Sequence, residues 1–143
     1  MNEIAAERKE RKRKPRVPAS STGEHLAIAE LLRRGFEARL ANVSSRKRGM
    51  LVEIGASPKL IRVRTVHSTR WYVRRASFVG RLADQVTVYV LLGVERSVKS
   101  ARFFVVKNSD LAAQFRQPSN WKPFGFIDAK TMEKYEDNWD ILR

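Results

Sequence analysis

Arg62 and Arg64 stand one residue apart in a stretch, Lys59 to Val66, that alternates apolar and polar residues. A period of two belongs to a β-strand, so Ile61, Val63 and Thr65 leave from one face and Leu60, Arg62, Arg64 and Val66 from the other. Two guanidinium groups on one face present planar forks that match phosphate oxygens in pairs. The cations continue beyond this strand. Between Glu53 and Asp84 there is no acidic residue, while Lys59, Arg62, Arg64, Arg70, Arg74, Arg75 and Arg81 all occur, with Trp71 and Tyr72 among them. A face that is merely solvated usually mixes both signs. The chemistry expected is phosphate contact, with aromatic rings offered to unpaired bases and no readout of sequence. Arg46, Lys47 and Arg48 would add to the same grip. The competing reading makes Trp71 a core anchor and Arg62 and Arg64 exposed edge charges that discourage strand association.

Groups for acid–base or metal chemistry are few. Glu24, Glu53 and Asp84 are the carboxylates that could converge on this strand, and His67 follows it. Alternation groups Met50 with Val52 and Ile54, so Glu53 faces the other way. A lone histidine has a suitable pKa for proton transfer but is more often a surface residue.

The elements that must position these residues follow from the pattern. Ser21-Thr22 caps a helix that runs to about Arg34, with Glu24 in its first turn and Gly35 as its stop. Glu24, Ala27, Ile28 and Leu31 recur at helical spacing and share one face, which aims a carboxylate at the body of the protein. Phe36 to Leu40 and Met50 to Ile54 read as strands joined by the polar segment Asn42 to Gly49. Ser57-Pro58 marks a turn before the Lys59 to Val66 strand. Val86 to Leu92 is a continuous apolar run, the pattern of a strand covered on both faces, and Arg102 to Val106 is a second. Ser109 is expected to cap a helix through Phe115, Gln117 to Pro123 to form a loop with Trp121 as a packing residue, and Asp128 to open a C-terminal helix ending near Trp139. A mixed sheet in an α/β domain is the expected fold class.

The charge balance narrows the partners. The chain has 143 residues, with 29 Lys and Arg against 15 Asp and Glu, a formal net charge of +14. A surface so positive attracts polyanions. Residues 1–21 form a separate expected unit, a flexible basic arm whose Arg8, Lys9, Arg11, Lys12, Arg13, Lys14 and Arg16 repel one another and bury nothing. Residues 22–143 would then be one domain. No apolar run approaches ~20 residues, so no membrane span is expected. Cysteine is absent, and the N-terminus lacks the apolar core of a secretory signal, which together suit a cytoplasmic protein.

Read together, the segments resemble the PD-(D/E)XK, or restriction-endonuclease-like, nuclease superfamily, which includes Holliday-junction-resolvase-like and tRNA-endonuclease-like folds. The resemblance runs from Gly23 to the C-terminus. It is carried by Gly23-Glu24 opening a helix that continues Ala29 to Phe36, by Gly49-Met50-Leu51-Val52, by Ile61-Arg62-Val63-Arg64-Thr65 and by Trp71-Tyr72. The Val86 to Leu92 strand, the Phe103 to Lys107 strand and the closing Tyr135 to Asp140 complete it. It implies a mixed central sheet flanked by helices, of αβββαβ type. It also implies an Asp on the second strand, and an acid or amide followed two residues later by Lys on the third, which hold a divalent cation and position water. Met50, Arg62 and Arg64 occupy those positions here, and Glu24 matches an accessory helix acid. A thioether and guanidinium groups cannot ligate Mg²⁺, which demands oxygen donors.

The resemblance therefore implies a vestigial site without metal or other cofactor, in which Arg62 and Arg64 hold phosphate of DNA or RNA and Glu24 is their counter-ion. Two other classes stay open. One is a metal-dependent endonuclease whose active site has migrated to Glu24, Glu53, Asp84 or His67. The other is an assembly subunit that pairs with itself or a protein partner through the acidic segment Asp128 to Asp140.

Overall fold

A computed structural model describes residues 19–41, 51–55, 59–92, 101–121 and 123–143, with side chains from residue 22 onward and excepting that of Leu51. The basic arm from Arg8 to Arg16, the segment with Arg46, Lys47 and Arg48, the Met50 position and the Ser57-Pro58 turn lie outside the described residues.

The helix α1 spans Ala19–Arg33. Its end is written by Gly35, which adopts φ 90°. The Gly35 N–H bonds to the Leu32 carbonyl and the Phe36 N–H to the Leu31 carbonyl, the pair of contacts that closes a helix with a left-handed residue. That closure uses Phe36 and turns the chain, so β1 covers only Ala38–Leu40 instead of starting at Phe36. The further strands are β2 (Leu51–Ile54), β3 (Lys59–Val66), β4 (Arg70–Arg74), β5 (Val86–Leu91), β6 (Arg102–Lys107) and β7 (Phe124–Asp128).

Five of them form one mixed sheet in the order β1-β2-β3-β5-β6. β3 is antiparallel to β2 and parallel to β5, and β6 returns antiparallel to β5. This is the α/β architecture with a central mixed sheet that the sequence predicts. The parallel step requires a crossover, and that crossover departs from the αβββαβ pattern. It consists of β4 and two 3₁₀ turns, Arg75–Phe78 and Gly80–Leu82, where a helix is expected. β4 pairs with β7 in a separate two-stranded ribbon.

Two apolar layers result. On the α1 side, Ala27 and Leu31 pack on Val52, Ile61, Val63, Val88, Val90 and Val105, with Trp139 at the end. On the opposite side, Tyr89, Phe104 and Val106 meet Trp71 and Val73 of β4, Ile127 of β7, and Leu111 and Met132. β5 is buried on both faces, from Thr87 through Val90, as its unbroken apolar run predicts.

Two predicted helices are replaced. The Ser109 segment is a 3₁₀ helix, Asn108–Ala113, without a side-chain cap. Asn108 is instead a buried link, accepting the Thr87 hydroxyl at Oδ1 (2.6 Å) and donating Nδ2 to the Leu82 carbonyl (2.8 Å). Asp128 closes β7 rather than opening a helix, and two 3₁₀ segments follow, Ala129–Tyr135 and Trp139–Leu142. Only Met132 is buried in the first of these. One anchor does not make the stripe that an amphipathic α-helix needs.

Candidate nucleic-acid interface

β3 divides its side chains as expected. Ile61 and Val63 enter the core beneath α1. Gly23 of α1 lies so close to Thr65 on this same face that a Cβ there would collide with the Thr65 hydroxyl. Arg62 and Arg64 leave from the other face and are both half-buried. Across the parallel pairing they stand beside Thr87 and Tyr89. Arg62 donates Nε to the Gln85 side chain (3.2 Å), and Arg64 donates Nη2 to the Tyr72 backbone carbonyl (3.0 Å). The buried phenol of Tyr89 lies between influences. Burial pushes its pKa up, while the charge of Arg64, a hydrogen bond from it, and the charge of Arg62 oppose the rise.

Glu24, on α1, is fully buried in line with Ala27 and Leu31. The expectation that it serves as the counter-ion of Arg64 is not met. Among the described residues Arg64 makes no ion pair, and its acceptor is the Tyr72 backbone carbonyl. The acids of the migrated-site reading are dispersed. Glu53 pairs with Arg39 of β1 at 3.0 Å, Asp84 with Lys107 at 3.4 Å, and His67 is exposed in the turn after β3. Among the described residues, no three of His, Cys, Asp and Glu gather as a metal site would need.

The aromatic pair splits. Trp71 is 1% exposed and stacks on Tyr89 at 4.9 Å with Phe104 against its edge at 5.1 Å. Its indole N–H bonds to the Ser68 carbonyl. A ring enclosed in this way presents no face to a base, so Trp71 is a core residue and not a contact. Tyr72 points the other way and is 56% exposed. It shares the outer face of the ribbon with Arg70 and Arg74, as the strict alternation of β4 requires. Arg75, Arg81 and Lys59 are exposed as well, the first two in the 3₁₀ turns.

β7 brings residues to this face that sequence reasoning did not connect with it. Tyr72 stands opposite Phe126 and Arg74 opposite Phe124, while Arg70 faces Asp128. Arg70 lies over the Phe126 ring and Arg74 over the Phe124 ring, each at 4.9 Å. Trp121 joins Tyr72 at 5.9 Å and Phe126 at 5.7 Å. Arg116 pairs with Phe126 through two backbone hydrogen bonds. The Phe-Gly-Phe alternation at 124–126 was the available signal. Gly125 sits inside, where a Cβ would meet the Phe115 ring.

The acidic C-terminal segment is engaged within the chain. Arg102 grips Glu136 with both arms of its fork, at 2.7 and 2.9 Å, and holds that carboxyl below the ordinary carboxylate range. Asp137 lies 3.6 Å from Arg34, and Trp139 is buried against Phe103. No helix of the described residues is long and apolar enough to cross a membrane.

No family model and no curated protein sequence matches the chain. Among solved structures, the chain is similar to Hjc, a Holliday junction resolvase from the archaeal hyperthermophile Archaeoglobus fulgidus. That likeness has 14% identity over 80% of this chain and 88% of that one, with a TM-score of 0.48. It is also similar to a bacterial homing endonuclease, I-Ssp6803I, at 10% identity over 86% of this chain and 88% of that one, with a TM-score of 0.45.

Proposed function

We propose that this protein binds nucleic acid through its phosphate backbone, on a nuclease-like α/β scaffold that no longer cuts. The observation that carries the reading is the state of Arg64. It stands two residues from Arg62 on one strand face and is held by the Tyr72 backbone carbonyl. Acceptors without charge orient a guanidinium and leave its positive charge for an anion. The net charge of +14 supplies the long-range attraction. The positions where the resembled nucleases carry a metal-binding acid and a lysine hold Arg62 and Arg64, which repel a divalent cation.

Binding to a mixed-sequence duplex should weaken steeply with salt, each neutralised phosphate adding roughly 0.9 to the log–log slope. Arg62→Gln with Arg64→Gln should lower both the affinity and that slope in a fluorescence-anisotropy titration. Unchanged binding in the double variant would exclude Arg62 and Arg64 as the phosphate contact. A plasmid-nicking assay with Mg²⁺ and Mn²⁺ should show no cleavage. Robust nicking abolished by Glu24→Ala would establish an active enzyme instead.

A further inference from the structure

The outer face of the β4–β7 ribbon is a sheet face with aromatic rings left in solvent. Tyr72 is 56% and Phe124 43% exposed, with Phe126 and Trp121 half-buried beside them. Exposed aromatic groups gathered in one place mark a contact surface. The cations on this face decide the kind of partner. Arg70 and Arg74 each lie over a phenylalanine ring at 4.9 Å, and Arg116 pairs with Phe126 in the backbone ladder. Against them stands a single acid of the ribbon, Asp128. The core of a protein–protein contact is depleted of charge, whereas arginines and rings on one surface suit a polyanion that carries flat bases. A guanidinium resting on a ring is already oriented, so less freedom is lost when it meets a phosphate.

On the reading that the chain binds nucleic acid, we propose that this ribbon face is a stacking platform for unpaired bases. The partner class is then single-stranded DNA or RNA, or the unpaired part of a branched structure. Duplex bases are stacked on one another and offer no ring face, but an extruded or single-stranded base can lie on Tyr72 or Phe124. The platform adjoins the proposed phosphate contact, because the Tyr72 carbonyl is the acceptor of Arg64. One strand crossing from the two arginines to the ribbon would have its phosphates held by Arg62 and Arg64 and its next bases laid on the rings.

The test uses the full chain and three labelled probes of equal length: oligo(dT), the same backbone made abasic, and a duplex. Oligo(dT) should bind at least tenfold tighter than the abasic strand, which has the same phosphates and no rings. Tyr72→Ala with Phe124→Ala should erase that preference, while abasic and duplex binding fall equally and only by the small part Arg74 loses with its ring. Both side chains are largely exposed, and an unchanged melting temperature would confirm the fold. Tyr72→Trp should keep the preference. Oligo(dT) should also quench the emission of Trp121, and Trp121→Phe should abolish the quench, since Trp71 and Trp139 are enclosed.

Equal binding of oligo(dT) and abasic strand by the wild type would overturn the platform and leave the phosphate grip standing. A preference that survives the double variant would do the same. Loss of self-association in the double variant, with oligo(dT) binding unchanged, would assign the face to protein contact and overturn the proposal. Absence of binding to all three probes would sink both readings.

Discussion

A guanidinium pinned by a backbone carbonyl keeps an undiminished charge, and Arg64 is such a group. One arm of its fork is held inward at Tyr72, and on the proposed reading the rest meets a phosphate. Arg64→Lys preserves the charge but not the fork. Affinity should fall about tenfold, the worth of one charge-assisted hydrogen bond of ~1.5 kcal/mol, with the salt slope unchanged. Its neighbours in the chain allow a sharper contrast. Trp71→Ala removes a ring packed between Tyr89 and Phe104 and should lower stability by roughly 3–5 kcal/mol in a denaturant titration. Tyr72→Ala, one position on, should stay within about 0.5 kcal/mol. A large loss at Tyr72 would mean that the ring is structural rather than available.

At the scale of elements, close approaches set the frame. α1 lies against β3 through Gly23, and Gly23→Ala would drive a methyl into the Thr65 hydroxyl. The expected penalty, by thermal melting, is roughly 1–3 kcal/mol for the shift that relieves it. Asn108 ties the 3₁₀ crossover to β5, so Asn108→Leu, which strands the Thr87 hydroxyl and the Leu82 carbonyl, should cost about 1–3 kcal/mol for each group left unpaired.

Which elements can be read from the chain alone follows from how their signal is distributed. β3 and β5 declare themselves, one by alternation and the other by an unbroken apolar run. α1 carries a glycine stop. β4 is different, because Trp71 and Val73 are two inward residues among cations and read as a basic stretch, not a strand. β7 hides behind a Pro-rich loop, and its partner lies fifty or more positions earlier. The run of arginines points to Arg62, Arg64, Arg70 and Arg74. It cannot point to Phe124, Phe126, Trp121 or Arg116, because only the non-local ribbon pairing brings those residues to the same face.

Across the whole molecule, the carboxylates are few and several are committed to arginines. Glu30 bonds to Arg33 and Arg34, and Glu136 to Arg102, and these bonds hold both carboxyls below their ordinary value of 4.5. A depressed folded pKa means that the contribution is complete above the ordinary value and is lost as pH falls through the folded one. Stability should therefore decline on acidification from ~5 downward as these pairs are protonated and the positive charge goes unopposed. Glu136→Gln should flatten part of that decline, with an effect at neutral pH of at most ~1 kcal/mol because solvent screens the pair. A melting profile with the same acid slope in wild type and variant would show that the C-terminal clasp contributes nothing.

The turn between β3 and β4, at residues 67–69, sets which way the next five side chains look. It is fixed by the Trp71 indole on Ser68 and by the Ala129 N–H on the Thr69 carbonyl. Adding or deleting one residue here would invert the parity of β4, turning Arg70, Tyr72 and Arg74 toward Tyr89 and sending Trp71 and Val73 into water. Three guanidinium- or hydroxyl-bearing chains would then have to enter a space shaped for an indole and an isopropyl group. This short connection should consequently reject any odd change in its length, although its own side chains are largely exposed and replaceable.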